Sequence, residues 1–477
     1  MSFSVTDAAA DAGSEPALVI DGEAISFSTL ERQVAPARLA LRSLVPPDHH
    51  ARSASEIVAL RAAPRLGTLL AVYALLDEGI PFVPIHPRLA AVEAEQLVAD
   101  LSIEHTLDIA TLASFEEKSL ETMSIDKYRV DGDRTLAVMF TSGTSGKSRG
   151  AILSRSAFEA SARASAANLP WRPNDRWLLC MPLAHVGGLS IVTRCLHGRQ
   201  AVVFHSKFDV EAVLRSIGSE GITRVSLVPT MLFDLLASDR DNLLAKLDTV
   251  LLGGAATAPA LLEECARRNI RALTTYGLTE ACSQVTTQAP RDPGSVVLGS
   301  GRPLAGVEMQ ITRADGSGCE PGEIGSISIR GASLMRGYVG EAPIANSFFD
   351  TGDMGSFDEN GALHLASRKK DLIISGGENV YPLEVEAALL ACEGVEGAVV
   401  FGAPDARWGE QVAAVIVAGS TFDEERAHVQ LRRSLAAFKL PRALVIAREL
   451  PKSEGGKIAR AEVVRLFTSS LRPWRSS

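Results

Sequence analysis

Short apolar runs alternate with helical patterns between about residues 55 and 300. The runs "AVVF" (201–204), "VSLVP" (225–229) and "TVLLGGAA" (249–256) have the length and character of strands. Between them, "DVEAVLRSIGSEG" and "APALLEECARRN" space their apolar positions at helical intervals. Strand and helix in alternation predict α/β sheets. The most apolar early stretch is "LGTLLAVYALLDEGIPFVPIHP", interrupted by Asp77 and Glu78. Its apolar run is about half of the roughly twenty residues that a membrane span needs, so it predicts a buried helix followed by a buried strand. From about 297 the texture changes. "EMQITRADGSGCEPGEIGSISIRG" alternates apolar and polar positions between Asp-Gly, Gly-Ser and Pro-Gly turn signals, which predicts a small β-barrel or sheet. After "ASRKKDLII" (366–374) a new α/β pattern starts, with helices at "YPLEVEAALLAC" and "ERAHVQLRRSLAAF" and strands at "EGAVVFGA" and "VAAVIVAG". The charged run Arg368-Lys369-Lys370-Asp371 is the expected boundary between a large N-terminal part, 1–368, and a small C-terminal part, 369–477, long enough to own a core.

Composition narrows the function classes. A hydrophobic fraction of 46% and a charged fraction of 22% are those of a soluble globular chain. A net charge of −9 argues against a general nucleic-acid binder, which needs clustered positive charge. "MSFSVTDAAADAGSEP" has neither a basic segment nor an apolar core, so no signal peptide is expected. The six cysteines form no CxxC pair, which predicts free, buried thiols in a reducing, cytoplasmic compartment. The nine histidines form no HxxxH or HExxH pattern, so no structural metal site is expected.

The richest candidate chemistry lies in "MFTSGTSGKSRGAI" (139–152), directly after the apolar run 136–138. Glycines allow a close backbone approach, hydroxyls donate hydrogen bonds and Lys147 adds a point charge, all of which suit phosphate. The nucleoside-triphosphatase loop G-x-x-x-x-G-K-[ST] is excluded, because position 141 is Thr where Gly is required. Its helix does not follow at once either. "GAILS" is extended in character, and Ser156 with Glu159 as a capping box predicts a helix start near 156.

The stretch resembles the signature [YF]TSGTTGxPKG of the adenylate-forming superfamily, which includes acyl- and aryl-CoA ligases, peptide-synthetase adenylation domains and beetle luciferases. Ser145 stands for Thr, Ser148 for Pro and Arg149 for Lys, so hydroxyls and positive charge are kept. Further motifs of that superfamily follow in order: "MPLAHVGGL" (181–189), "TTYGLTEA" (274–281), "FFDTGDMG" (348–355), "ASRKKDLIISGGENVYPLEVE" (366–386) and "LPKSEGGKIAR" (450–460). The resemblance covers nearly the whole chain. It is strongest to the branch holding the o-succinylbenzoate–CoA ligases of menaquinone synthesis and other aryl-acid–CoA ligases, through "HVGGLSIVTRCL", "SLVPTML" and "LLGGAATAPALLEEC". It implies a large N-terminal domain of two α/β sheets and a small β-barrel, with a small, mobile α+β C-terminal domain.

The resemblance also implies roles. Thr141, Ser142, Gly143, Thr144, Ser145, Gly146 and Lys147 would cradle phosphates. Gly253, Gly254, Thr275, Tyr276 and Gly277 would line the nucleotide site. Tyr276, beside Gly277, is expected to offer an open ring face to adenine. Glu280 is a hard oxygen ligand suited to Mg²⁺ carried with ATP, and Thr279 would hold the α-phosphate. Asp353 would accept ribose hydroxyls; an Asp in a "TGD" stretch is otherwise a turn residue. Arg368 offers a fork of donors to ribose or phosphate, or is a plain linker charge. Lys457, on a glycine-rich arm, would be the catalytic lysine of adenylation. His185, Arg194, Gly254 and Leu278 would face the acid. Arg194 falls where that branch has an arginine for its substrate, and its alternative is an exposed helix position. Gly376 and Gly377 would pass a pantetheine arm of CoA, His185 would gate the same tunnel, and Lys370 would be the hinge. The implied reaction joins an aromatic carboxylic acid to CoA through an acyl-AMP. The alternatives are a benzoate- or anthranilate-type ligase, and a stand-alone adenylation enzyme that loads a carrier protein. That the chain ends soon after Lys457, with no carrier domain, favours free CoA.

Overall fold

The computed structural model describes residues 2–45, 57–87, 89–117, 130–141, 149–292, 294–344, 347–375, 378–405, 407–453 and 456–474. Two α/β sheets dominate residues 1–303. The larger has nine strands; six of them, Ala272–Leu278, Thr249–Leu252, Arg224–Leu227, Arg176–Leu179, Ala201–Phe204 and Pro16–Ile20, lie side by side in parallel. The smaller has five strands, with His105–Leu107, Val58–Arg61, Phe82–Ile85 and Thr135–Thr141 parallel and Arg149–Ser154 antiparallel at its edge. Parallel strands need crossovers, and helices supply them on the sheet faces.

One core cluster joins the two sheets. It combines Val58 and Leu60 of one with Trp177 and Val202 of the other, and fills between them with side chains of helices Phe27–Leu44, Leu66–Glu78, Arg155–Asn168 and Val186–Gly198. The helix Leu66–Glu78 is buried at every position from Gly67 onward, as a helix apolar on all sides must be. Gly79 ends it in the left-handed region at φ 61°, and its N–H donates to the Leu75 carbonyl. Even the charges that close this helix are inside. Glu78 accepts from Arg38 Nε at 2.7 Å and Arg42 Nε at 2.8 Å, so paired ions let the helix end in the core. The expected buried helix and buried strand (Phe82–Ile85) are both present.

Strands Val307–Thr312, Gly325–Gly331, Phe349–Phe357 and Leu363–Arg368 form an antiparallel four-stranded meander. It ends at Arg368; a single turn, Lys369–Asp371, separates it from the last sheet, which starts at Ile373. That six-stranded sheet carries the helices Pro382–Leu390, Glu424–Ser434 and Arg460–Phe467 and has its own apolar clusters.

Two local expectations change. The helix after the loop starts at Arg155, next to the expected 156, but its cap is Ser154 and not Ser156; the Ser154 Oγ accepts from Ala157 N at 3.1 Å. Ser154 is also the last residue of the preceding strand, so strand and helix meet without the spacer that a cap at Ser156 would need. Of the six thiols, Cys180, Cys195, Cys265, Cys282 and Cys392 are buried, but Cys319 is only partly so, in the connection between strands Val307–Thr312 and Gly325–Gly331. Among the described residues no helix is long and apolar enough to cross a membrane.

Candidate active site

Parallel strands point their C-terminal ends the same way, and ligands of open α/β sheets bind there. Five such ends carry the candidate residues. Thr249–Leu252 runs into Gly253 and Gly254; Ala272–Leu278 runs into the turn Thr279–Ala281; Thr135–Thr141 runs into the hydroxyl-rich loop. Arg176–Leu179 leads to His185, and Phe82–Ile85 leads directly to His86.

Lys457 arrives from the C-terminal part and closes this cleft. A Cβ built on Gly254 would stand 2.6 Å from Lys457 Cε and 3.0 Å from Nζ, so the lysine occupies the space that glycine leaves open. Gly254 has φ +80°, a second reason for glycine. The arm is fixed one residue earlier, where Thr230 Oγ1 donates to the Gly456 carbonyl at 2.8 Å. Lys457 keeps contact with solvent along the cleft, while surrounding protein and the Arg368 charge push its pKa down. His185 lies beside it. Its backbone carbonyl accepts from Gly188 and Leu189 as the N-cap of helix Val186–Gly198. A Cβ on Gly188 would stand 2.4 Å from the Pro182 carbonyl, which explains the glycine in that tight entry. Burial, with help from His86 and Lys457, holds the His185 pKa down at about 4, so the ring is neutral near pH 7.

Asp353 anchors the opposite wall. It lies inside strand Phe349–Phe357 and is buried, so it is no turn residue. Its Oδ1 pairs with Arg368 Nε at 2.7 Å and its Oδ2 accepts from the Tyr276 hydroxyl at 2.7 Å. Antiparallel register explains the pair, because Asp353 and Arg368 face each other across neighbouring strands. Burial raises the Asp353 pKa, Arg368 opposes that, and Glu280 adds to it, so all three charges face one another. Glu280, half-buried, accepts from the Tyr338 hydroxyl at 2.6 Å. Among the described residues no group of three His, Cys, Asp or Glu could hold a metal ion. A divalent ion here would therefore lean on phosphate oxygens plus one carboxylate, which is how Mg²⁺ is commonly held.

A model of the AMP-binding enzyme family matches residues 5–339, and one of the AMP-binding enzyme C-terminal domain matches 384–457. The chain belongs to the AMP-binding enzyme family. It is 40% identical over 333 residues to a 2-succinylbenzoate–CoA ligase of Bacillus licheniformis, covering 69% of each chain. It is 33% identical over 404 residues to the Bacillus subtilis protein of that name, covering 84% of this chain and 81% of that one. Among solved structures it resembles o-succinylbenzoate CoA synthetase (MenE) from Bacillus subtilis in complex with the acyl-adenylate intermediate OSB-AMP. That likeness has a TM-score of 0.85 at 29% identity and covers 96% of this chain and 97% of the other. ATP-bound MatB from Rhodopseudomonas palustris shares the fold at TM-score 0.86 and 24% identity, covering 98% and 100% of the two chains.

The structure thus brings Gly254, His185 and Lys457 together, and Tyr276, Asp353, Arg368 and Glu280 opposite them. Not every expectation for an AMP-binding enzyme holds in detail. The Tyr276 ring is 6% exposed and packed among Ala281, Val285 and Ile327, so its face is not open. Gly277 does not open that face; a Cβ there would lie 1.9 Å from the Ser283 carbonyl, so the glycine serves the close pairing of its own hairpin. Leu278 leans on the same apolar cluster. The Thr275 hydroxyl donates to the Thr286 carbonyl at 2.6 Å and is spent on the sheet, whereas Thr279 keeps its hydroxyl uncommitted among the described residues. A Cβ on Gly253 would stand 2.9 Å from Thr275 Cγ2. Thr141 ends its strand, with Oγ1 donating to the Arg149 carbonyl at 3.4 Å. Ser142, Gly143, Thr144, Ser145, Gly146 and Lys147 lie outside the described residues, as do Gly376 and Gly377. Lys370 is exposed in its turn, 3.9 Å from Asp371.

Arg194 is not an exposed helix position. It is 2% exposed, and its Nε and Nη2 have no hydrogen-bond partner among the described residues. Its guanidinium lies 5.8 Å from the Trp177 ring and influences Cys282, at the turn after Glu280. Burial pushes its pKa down to about 10, so it remains charged at neutral pH.

Two site residues escaped the sequence reading. His86 is buried and its ring centre lies 5.3 Å from that of His185. Its signal was a histidine placed directly after the buried strand of "FVPIHP". Tyr338 sits in "RGYVG", where flanking glycines were the only hint. A separate cavity of about 480 Å³, lined by Arg172, Asp248, Arg271 and Arg291, opens beside the N-terminal ends of strands Thr249–Leu252 and Ala272–Leu278, away from this site. Arg172 pairs there with Asp248 at 3.0 Å, Arg271 donates to the Leu247 carbonyl at 3.3 Å and Arg291 to Gln288 Oε1 at 2.6 Å.

Proposed function

We propose that this AMP-binding enzyme is an ATP-dependent acid–CoA ligase whose acid is 2-succinylbenzoate, serving menaquinone synthesis in the cytoplasm. The observation that carries the substrate is Arg194. A buried guanidinium with unanswered donors is costly unless an anion meets it. The acid has two carboxylates; one is activated, and the other would supply that anion. The relatives named for this substrate support the same reading.

In the first half-reaction one carboxylate of the acid attacks the α-phosphorus of ATP and pyrophosphate leaves. Lys457, above Gly254, would neutralise the approach of one anion to another, and Thr279 would donate to the α-phosphate. Asp353 would accept ribose hydroxyls on the lone pairs that Tyr276 and Arg368 leave, and Arg368 would add its remaining donors. Magnesium held by Glu280 and the ATP phosphates would supply further charge neutralisation. His185, neutral, can border the acid without repelling metal or Lys457. In the second half-reaction the CoA thiol attacks the acyl carbon and expels AMP. Lys457 must leave for this, so the domain 369–477 would turn about Lys370 against 1–368 and bring Gly376 and Gly377 to the pantetheine.

The test is a pyrophosphate-release screen over aryl acids with and without a second carboxylate. Wild type is expected to prefer 2-succinylbenzoate to benzoate and anthranilate. Arg194→Met should raise KM for 2-succinylbenzoate by about 10–100-fold, the size of a lost charge-assisted bond, and leave benzoate unchanged. A wild-type preference for benzoate or anthranilate overturns the substrate. Turnover of the acyl-AMP by a carrier protein but not by free CoA overturns the acceptor.

A further inference from the structure

Segment 335–339 ties the carboxylate of Glu280 to the strand that leaves the hydroxyl-rich loop. Met335 N donates to the Glu280 carbonyl at 2.7 Å, and the Tyr338 hydroxyl donates to Glu280 Oε1 at 2.6 Å. The same segment pairs with strand Arg149–Ser154: Ile152 N donates to Gly337 O at 2.9 Å, Arg336 N to Ile152 O at 2.9 Å, and Val339 N to Gly150 O at 2.9 Å. Arg149, the first residue of that strand, lays its guanidinium on the Tyr338 ring with Cζ 3.5 Å from the centroid. Glu341 holds that guanidinium flat, accepting from Nη2 at 2.7 Å and from Nε at 3.1 Å. Both partners of the ion pair are roughly half exposed, so the pair contributes little to stability and needs another explanation. A planar, forked cation can lie flat on a ring and pair through two N–H groups at once; an ammonium cannot lie flat in that way.

We infer that Glu341, Arg149 and Tyr338 form a positioning strut that fixes Glu280 Oε1 and turns its other oxygen toward a nucleotide-bound divalent cation. The inference rests on the reading of Glu280 as the metal carboxylate. None of the three strut residues touches the reacting atoms. Arg149, where the superfamily signature has Lys, is the member that makes the stacked, forked arrangement available.

The experiment measures Mn²⁺ binding to the full-length protein with ATP, by the loss of free-Mn²⁺ EPR signal, for wild type, Glu280→Gln, Tyr338→Phe, Arg149→Lys and the double variant Glu280→Gln/Tyr338→Phe. Glu280→Gln should weaken Mn²⁺ by about tenfold or more, as loss of a charged ligand does. Tyr338→Phe should weaken it about 3–10-fold, the size of one lost hydrogen bond to a charged group. Arg149→Lys, which keeps the charge and the fold, should weaken it about two- to threefold. The double variant should be no weaker than Glu280→Gln alone, because the strut acts only through that carboxylate. Unchanged affinity in Glu280→Gln overturns the metal reading itself. Weakening in Glu280→Gln with unchanged affinity in Tyr338→Phe and Arg149→Lys overturns the strut and leaves the metal reading standing. Additive losses in the double variant also overturn the strut.

Discussion

Lys457 is the residue proposed to separate the two half-reactions. Its ammonium lies over Gly254 and beside His185 and Arg368, where a carboxylate and an α-phosphate would meet. Lys457→Ala should slow acyl-AMP formation by more than about 100-fold, the order of a lost charge-stabilising group. Thioester formation from supplied acyl-AMP should survive; equal loss of both would remove the role. His185 gives a second, pH-dependent test. Burial holds both His185 and His197 down at about 4, well below the ordinary histidine value. Between about pH 6.5 and 4 the unfolded chain therefore binds protons that the folded chain does not. The stability these rings contribute is complete above pH 6.5 and is lost as pH falls toward 4. Urea midpoints should drop across that window, and His185→Gln should flatten the drop; a wild-type midpoint independent of pH would contradict it. At this scale the sequence disclosed residue types better than their surroundings. Asp353 and Lys457 could be picked out by motif. The burial of Arg194 could not, because an arginine on an amphipathic helix looks the same in sequence whichever way the helix is turned. Tyr276 misled for a related reason: the demand on Gly277 comes from Ser283, across a hairpin that local spacing does not reveal.

At the scale of elements, strand ends matter more than strand interiors. Gly254 is the clearest case. Gly254→Ala would place a methyl group 2.6 Å from Lys457 Cε at a φ of +80°. The lysine tip can move aside, so the protein should still fold, at a cost of about 1–2 kcal/mol for the left-handed alanine. The displaced ammonium should slow pyrophosphate release about 10–100-fold, as displacement by an ångström does. Transfer to CoA from supplied acyl-AMP should change less, and half-reaction rates measured side by side would decide it. The strands at 201–204 and 249–252 are the ones their apolar runs predict. The helix cap is not. Ser154 and Ser156 lie two residues apart and bond to each other at 3.0 Å, and only the turn of the strand decides which one caps. Which sheet a strand joins was equally hidden. Pro16–Ile20 pairs with Ala201–Phe204, and nothing in either run names the other.

For the whole molecule, hydrogen bonds join the C-terminal part to the N-terminal part in the arrangement that brings Lys457 over Gly254. One is the bond from Thr230 to the Gly456 carbonyl, which spans the two parts just before Lys457. Thr230→Val keeps the shape and removes the donor. It should slow acyl-AMP formation several-fold, the worth of a hydrogen bond of about 1 kcal/mol, without slowing thioester formation, for which the arm is proposed to leave. Single-turnover rates of each half-reaction test this, and an equal loss in both would make the bond merely structural.

The pairing of Leu18 with Val202 has a consequence for the newborn chain. Translation runs at about 5–20 residues per second, so the first strand of the larger sheet waits on the order of ten to forty seconds, roughly 180 residues, for its neighbour to be made. Until then its apolar side chains Leu18 and Val19, which end fully buried, have no sheet to join. The outermost hairpin of the finished sheet is thus among the first segments synthesised, yet it cannot be seated until Ala201–Phe204 has followed it. Conditions that change the pace of synthesis should act on the yield of folded enzyme through that interval.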